Sequence, residues 1–182
     1  MLNGSHTRNT PAVNLLRLIA LTGLRLGEAS TLKWSEIDEL GQCLRLERTK
    51  TGRSTRPIGK VAMHLLSSMP HADREWVFPR SDDQRGPSDL KKAVAQLFDA
   101  ADLTDARSHD LRCTFASAAA DLGFGDATIA ELLGHARRGV TERHYVRRSD
   151  PVLLAAADKV AAQISMALAA SLPNAAQALL KR

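Results

Sequence analysis

The residues best equipped for chemistry are one tyrosine and a scattered set of cations. Tyr145 is the only tyrosine in the chain, within Val140-Thr141-Glu142-Arg143-His144-Tyr145-Val146-Arg147-Arg148, ten residues after Leu133-Gly134-His135. A phenol ordinarily titrates near pH ~10 and is a poor nucleophile at neutral pH, so attack by it needs nearby cations or a proton acceptor. Both are close in sequence here, with His144 adjacent as an auxiliary donor. Alone, a tyrosine near a helix end more often packs its ring and hydrogen-bonds its hydroxyl at the surface. The other candidates must decide between these readings.

Those candidates are Arg25, Lys50, His109, Arg112 and His135. The spacing His-x-x-Arg occurs four times, at His71-Arg74, His109-Arg112, His135-Arg138 and His144-Arg147, so it cannot select a site by itself. Order and context do so. His109-Asp110-Leu111-Arg112 opens an expected helix, His135 follows Arg112 by 23 residues, and Arg25 precedes Lys50 by 25. These residue types suit phosphoryl transfer, which spreads negative charge over non-bridging oxygens. Two guanidiniums, here Arg25 and Arg112, clamp such oxygens with paired hydrogen bonds that lysine cannot reproduce. His135, expected at a helix start between a glycine and basic residues, can donate to a phosphate or act as a structural cap. His109 can accept a phenol proton or hydrogen-bond the phosphate. Lys50 is expected at a turn, where a solvated lysine is the commonest fate.

The surrounding pattern indicates how these groups are carried. Thr10-Pro11 supplies an N-cap and a first-turn proline for a mostly buried helix ending near Gly23. A short helix over Gly27 to Leu32 brings Arg25 and Glu28 to its start, three residues apart. Cys43 to Arg48 alternates apolar and polar residues, and Ser54 to Ile58 follows, so a hairpin with Lys50 at its turn is expected, Pro57 lying on an edge or at a strand end. Helices are expected at Val61 to Met69, Pro87 to Ala101, Asp110 to Leu122, Asp126 to Leu133 and Thr141 to Arg147. His71 to Gly86 reads as a surface loop around a short apolar Trp76-Val77-Phe78. A last helix starts after Asp150-Pro151 with an apolar stripe of Val152, Leu153, Ala156, Val160, Ile164 and Leu168. That stripe can pack on its own domain or dock on a neighbour.

At 182 residues the chain has room for one well-buried domain. Only 4% of residues are aromatic, so Leu, Ala, Val and Ile must fill the core, which favours packed helices. Twenty-five Lys and Arg against 20 acids give a formal charge of +5, suited to a polyanionic partner. Cys43 and Cys113 show neither metal-ligand nor disulfide spacing and read as structural residues of a reducing, cytoplasmic compartment. No segment is expected to cross a membrane, and neither a phosphate-binding glycine loop nor a carboxylate cluster for a metal is seen, so no cofactor is expected.

The ordered series from Arg25 to Tyr145 resembles the catalytic domain of the tyrosine recombinase family, of the phage-integrase type, over about residues 11 to 168. The resemblance implies an α+β, mainly helical fold with a small antiparallel hairpin or sheet on a helical core. It implies Arg25, Lys50, His109, Arg112, His135 and Tyr145 as catalytic residues, with Glu28 matching the acidic residue that commonly follows the first arginine. Tyr145 would attack a scissile phosphate of double-stranded DNA, form a 3′-phosphotyrosyl link and free a 5′ hydroxyl, with strand exchange by another 5′ hydroxyl and no metal. Integration or excision of a mobile element or prophage would result, with self-assembly on DNA, up to a tetramer, through the C-terminal helix. Two alternatives are a type IB topoisomerase-like relaxing activity and a non-catalytic DNA-binding remnant. Cys113 stands where relatives often carry histidine, without loss of activity expected. Residues 1–9 are expected to be a disordered linker or tag, 10–168 the catalytic domain and 169–182 a tail. Relatives usually carry an amino-terminal DNA-clamping domain, which has no counterpart before Thr10; weak, unselective DNA binding is the expectation.

Overall fold

Apolar residues recur around most of the first helix, and this places it at the centre of the domain. The computed structural model describes residues 10–50, 52–71, 74–80, 86–135 and 150–171. Helix α1 (Thr10–Thr22) buries Leu15, Leu18 and Ile19 completely, leaving Arg17 exposed. Around it pack α2 (Leu26–Ser30), α3 (Lys60–Ser67), α4 (Lys91–Ala100), α5 (Ser108–Asp121) and α7 (Pro151–Ala170). Helix α6 (Asp126–Leu133) lies against α5 and α7. The fold is α+β and mainly helical, as the composition requires.

One sheet of three antiparallel strands sits beside this core, in the order β1 (Ile37–Asp38), β2 (Cys43–Thr49) and β3 (Gly52–Pro57). The expected hairpin is β2 and β3, with Lys50 in its turn and Pro57 as the last residue of an edge strand. Pairing runs Cys43↔Pro57 to Leu46↔Ser54, is interrupted, and resumes at Thr49↔Gly52. The two-residue β1 was not anticipated, being too short for a period-2 pattern. It is fixed by Asp38, whose Oδ2 accepts from Arg45 Nε at 3.0 Å and Nη2 at 2.5 Å.

Several sequence expectations need correction. Helix α4 starts at Lys91 rather than Pro87, because Ser88 donates its amide to the Phe78 carbonyl at 2.8 Å and its hydroxyl to Pro79 at 2.6 Å. The preceding segment is not merely a surface loop. Val77 and Phe78 are buried, the Val77 amide donates to Leu32 at 2.9 Å, and Lys33 lies 4.8 Å over the Trp76 ring while bridging to Glu75. The structural reading of the cysteines holds for buried Cys43 but not for Cys113, which is exposed on α5. The expected helix over Thr141 to Arg147 lies outside the described residues.

Helix α7 corrects a further expectation. Asp150 caps it through the Val152 amide at 2.8 Å, with Pro151 in the first turn as anticipated, but its 20 residues are long and apolar enough to cross a membrane by length and composition. One face of it is buried: Ala156, Ala157, Val160, Ala161 and Ile164 pack against the chain's own α1, α3, α5, α6 and β3. Asp158 Oδ1 also accepts the Lys60 amide at 2.6 Å. Val152, Met166 and Leu168 stay exposed.

Candidate active site

Two helix ends converge on one guanidinium. Helix α1 stops at Gly23, which has φ +66° and donates its amide to Ile19 at 2.8 Å. A Cβ there would lie 2.7 Å from Leu133 Cδ2 and 2.8 Å from Phe115 Cδ1, so glycine is required by both conformation and space. Helix α6 stops at Gly134, φ +61°, with the Gly134 amide donating to Glu131 at 2.9 Å and the His135 amide to Ala130 at 2.8 Å. This is a Schellman closure. It leaves the Leu133 carbonyl free to accept elsewhere.

Arg112, on α5 and 4% exposed, takes up both ends. Its Nη1 donates to the Gly23 carbonyl and its Nη2 to the Leu133 carbonyl at 2.9 Å. A cation is favoured here by the partial negative charge of helix C-termini. Nη2 also lies 3.1 Å from His135 Nε2. A guanidinium has only donors, so Nε2 accepts and the proton of a neutral His135 ring sits on Nδ1. Burial, then the charges of Arg112, Arg25 and Arg56, holds this imidazole below its ordinary pKa. His135 thus sits just past the C-terminal end of α6, and the residues that follow it lie outside those described. The glycine before it is a C-cap.

Arg25 enters from the start of α2. Its Nη1 donates to Glu28 Oε1 at 2.8 Å and its amide to Glu28 Oε2 at 3.0 Å, closing the first turn of that helix. Its side chain is 33% exposed, so it can reach a ligand as Arg112 cannot without local adjustment. Burial alone would raise the Glu28 pKa, but the Arg25 amide and the charges of Arg56 and Arg25 outweigh it and lower the carboxyl. Arg25, Gly27, Ser108, His109 and Arg112 line one cleft of about 300 Å³. It opens at the N-terminus of α5, where the helix dipole favours an anion.

The structure therefore brings together Arg25, Glu28, Arg112 and His135, with exposed His109 on the same cleft. Lys50 stands apart, exposed at the hairpin turn. Tyr145 and His144 lie outside the described residues. Sequence reasoning missed Arg56, which is 1% exposed and joins the same network through Glu28 Oε1 at 3.5 Å. Burial, then the Arg112 and Arg25 charges set against the opposing pull of Glu28, lowers its pKa to about 10. A signal existed. Arg56 pairs with Leu44 across the hairpin, and cross-strand partners share a face, so the inward side of Leu44 and Leu46 already pointed to a buried arginine.

Comparison with known proteins places this mainly helical domain, with its small sheet and arginine-lined cleft, in a family. The family model described as the phage integrase family matches residues 2–151, and the chain belongs to that family. It is 28% identical over 147 residues to prophage integrase IntF of Escherichia coli K12, covering 77% of this chain and 31% of that protein. It is 29% identical over 142 residues to the type 1 fimbriae regulatory protein FimB of the same organism, covering 72% of this chain and 70% of the relative. Among solved structures, the integrase from mycobacterium phage Brujita superposes with a TM-score of 0.63 at 21% identity, over 82% of this chain and 51% of that one. XerA recombinase gives 0.53 at 22% identity, over 70% and 54%. The chain thus spans under a third of the prophage integrase and about half of these solved chains.

Proposed function

We propose that the chain is the DNA strand-cleaving and rejoining unit of a site-specific recombinase, with residues 10–168 as its catalytic domain. The observation that carries this reading is the convergence of Arg25, Arg112 and His109 on one cleft, with His135 hydrogen-bonded to Arg112. Arg25 and Arg112 bind the non-bridging oxygens of a scissile phosphate, and His135 donates through Nδ1. Tyr145 attacks phosphorus, with His109 taking the phenol proton or holding the phosphate. The 3′-phosphotyrosyl bond forms as the bond to the 5′ oxygen breaks, and Lys50 supplies the proton that oxygen takes up. A 5′ hydroxyl from another strand reverses the step and releases Tyr145. The cations of the chain supply the charge neutralisation, so the scheme calls on no metal or cofactor.

Double-stranded DNA is the proposed partner, consistent with the +5 formal charge. Relatives point the same way: a solved XerH recombinase of the same fold is described as bound to its difH substrate, with a TM-score of 0.55. Self-assembly on DNA is assigned to the exposed part of α7, around Val152, Met166 and Leu168. A cytoplasmic, DNA-associated location and integration or excision of a mobile element complete the proposal.

The test is a pool of nicked duplexes randomised around the nick and labelled at the 5′ end of the cleaved strand. A denaturant-resistant labelled adduct, absent in Tyr145→Phe, supports the reading. No adduct from any member of the pool would overturn catalysis and leave a DNA-binding remnant. Supercoil relaxation without exchange between two duplexes would favour a topoisomerase.

A further inference from the structure

Arg56 is a large buried cation that the scheme above leaves unused. At 1% exposure it cannot touch DNA. Removing a guanidinium from water is strongly disfavoured unless its donors are filled, and an apolar residue in the same place is often at least as stable. Its surroundings indicate why an arginine is there. Nε donates to Ser54 Oγ at 2.8 Å, Nη1 to the Leu133 carbonyl, and Nη2 reaches the Gly134 carbonyl and Glu28 Oε1, each at 3.5 Å. Ser54 belongs to its own strand. Each of the other three acceptors holds a group of the candidate active site: Leu133 holds Arg112, Gly134 carries His135, and Glu28 holds Arg25.

We infer that Arg56 is a positioning residue for strand cleavage: rooted in β3, it fixes the α6 C-terminus and Glu28, and so sets Arg112, His135 and Arg25 against the scissile phosphate. This rests on the recombinase reading. The contact is intimate enough for the role. A Cβ on Gly134 would fall 1.7 Å from Arg56 Cζ, so the backbone leading to His135 runs directly against the guanidinium. Displacing Arg56 therefore displaces the Leu133 carbonyl and one of the two backbone anchors of Arg112. Misplacement of catalytic groups by about 1 Å is enough to slow a reaction about 100-fold.

The test compares wild type, Arg56→Met, Arg56→Lys and Ser54→Ala in single-turnover adduct formation on the best nicked duplex selected from the randomised pool. Arg56→Met is expected to react about 10- to 100-fold more slowly at saturating DNA, with its Kd for that duplex nearly unchanged, and Arg56→Lys to recover part of the rate. Ser54→Ala, a milder change, is expected to slow the reaction a few-fold and replaces Arg56→Met if that variant does not fold. A wild-type rate in the folded Arg56 variants, or in Ser54→Ala when it stands in, overturns the inference. A second readout needs no DNA: amide hydrogen exchange at Gly134 and His135 should accelerate in Arg56→Met, or in Ser54→Ala in its place, relative to amides elsewhere. If wild type forms no adduct, the recombinase reading fails by itself, and unchanged local exchange then also removes Arg56 as the anchor of this segment.

Discussion

Arg56 and Arg112 donate to the same oxygen, the Leu133 carbonyl, from two different elements, β3 and α5. The C-terminus of α6 is thus a junction at which the hairpin and the central helices meet. The Leu133 carbonyl sets the spacing between two guanidiniums there.

Arg112→Lys is expected to fail on both stability and chemistry. A lysine cannot span the Gly23 and Leu133 carbonyls while facing His135; Leu133 keeps its Arg56 donor, but a buried Gly23 carbonyl left without one costs about 1–3 kcal/mol. Urea unfolding measures that loss. Adduct formation should fall about 100- to 1000-fold, the range for losing a preorganised transition-state donor.

Gly134→Ala should be far more damaging with Arg56 present than without it. In wild type the new Cβ collides with Cζ and forces the guanidinium off its acceptors, a loss of about 3–5 kcal/mol for a buried charge stripped of partners. In an Arg56→Met background only the left-handed conformation remains, about 1–2 kcal/mol. A double-mutant cycle in urea should therefore show a coupling of more than ~1 kcal/mol. Additive losses would contradict the close approach.

Acidification should weaken the fold in two separate windows. The folded pKa values of His135 and Glu28 are both lowered, so the unfolded chain binds more protons and stability rises with pH. The His135 contribution is complete above its unfolded value of about 6.5 and is lost as pH falls through the folded value; that of Glu28 is complete above about 4.3 and is lost below. Urea midpoints across pH should show both losses, with Glu28→Gln removing the lower one. By NMR, the His135 titration midpoint should lie below the ordinary imidazole value. Arg112→Met should raise it.

Lys50→Ala should slow cleavage of an ordinary duplex but not of one in which sulfur replaces the departing 5′ oxygen. A thiolate leaves without a proton, so the substitution bypasses a general acid. Equal slowing on both substrates would assign Lys50 to DNA binding instead.

Much of this site was legible before any coordinates, for a physical reason. Arg25 and Glu28 lie one helical turn apart, and Leu133-Gly134 marks a helix end by local chemistry alone. Their convergence on Arg112 was implied only by the family resemblance, because contacts spanning 89 and 21 residues leave no periodic trace. Arg56 was passed over because charge argues for exposure, and only the register of the hairpin reverses that expectation. The early start assigned to α4 came from carrying the apolar period of Leu90, Val94 and Leu97 back to Pro87, where the loop pins Ser88 instead.

The interruption between Leu46 and Thr49 divides the hairpin mechanically. Below it, the strands are laddered from Cys43 to Leu46 and bolted through Arg56 to the helical body. Above it, the pair Thr49↔Gly52 and the Thr49 hydroxyl bond to the Gly52 carbonyl at 2.6 Å flank Lys50. Local disruption of a ladder bends and loosens a strand pair at that point. The break in the ladder thus separates the turn that carries Lys50 from the root of the hairpin, which Arg56 ties to the helical body.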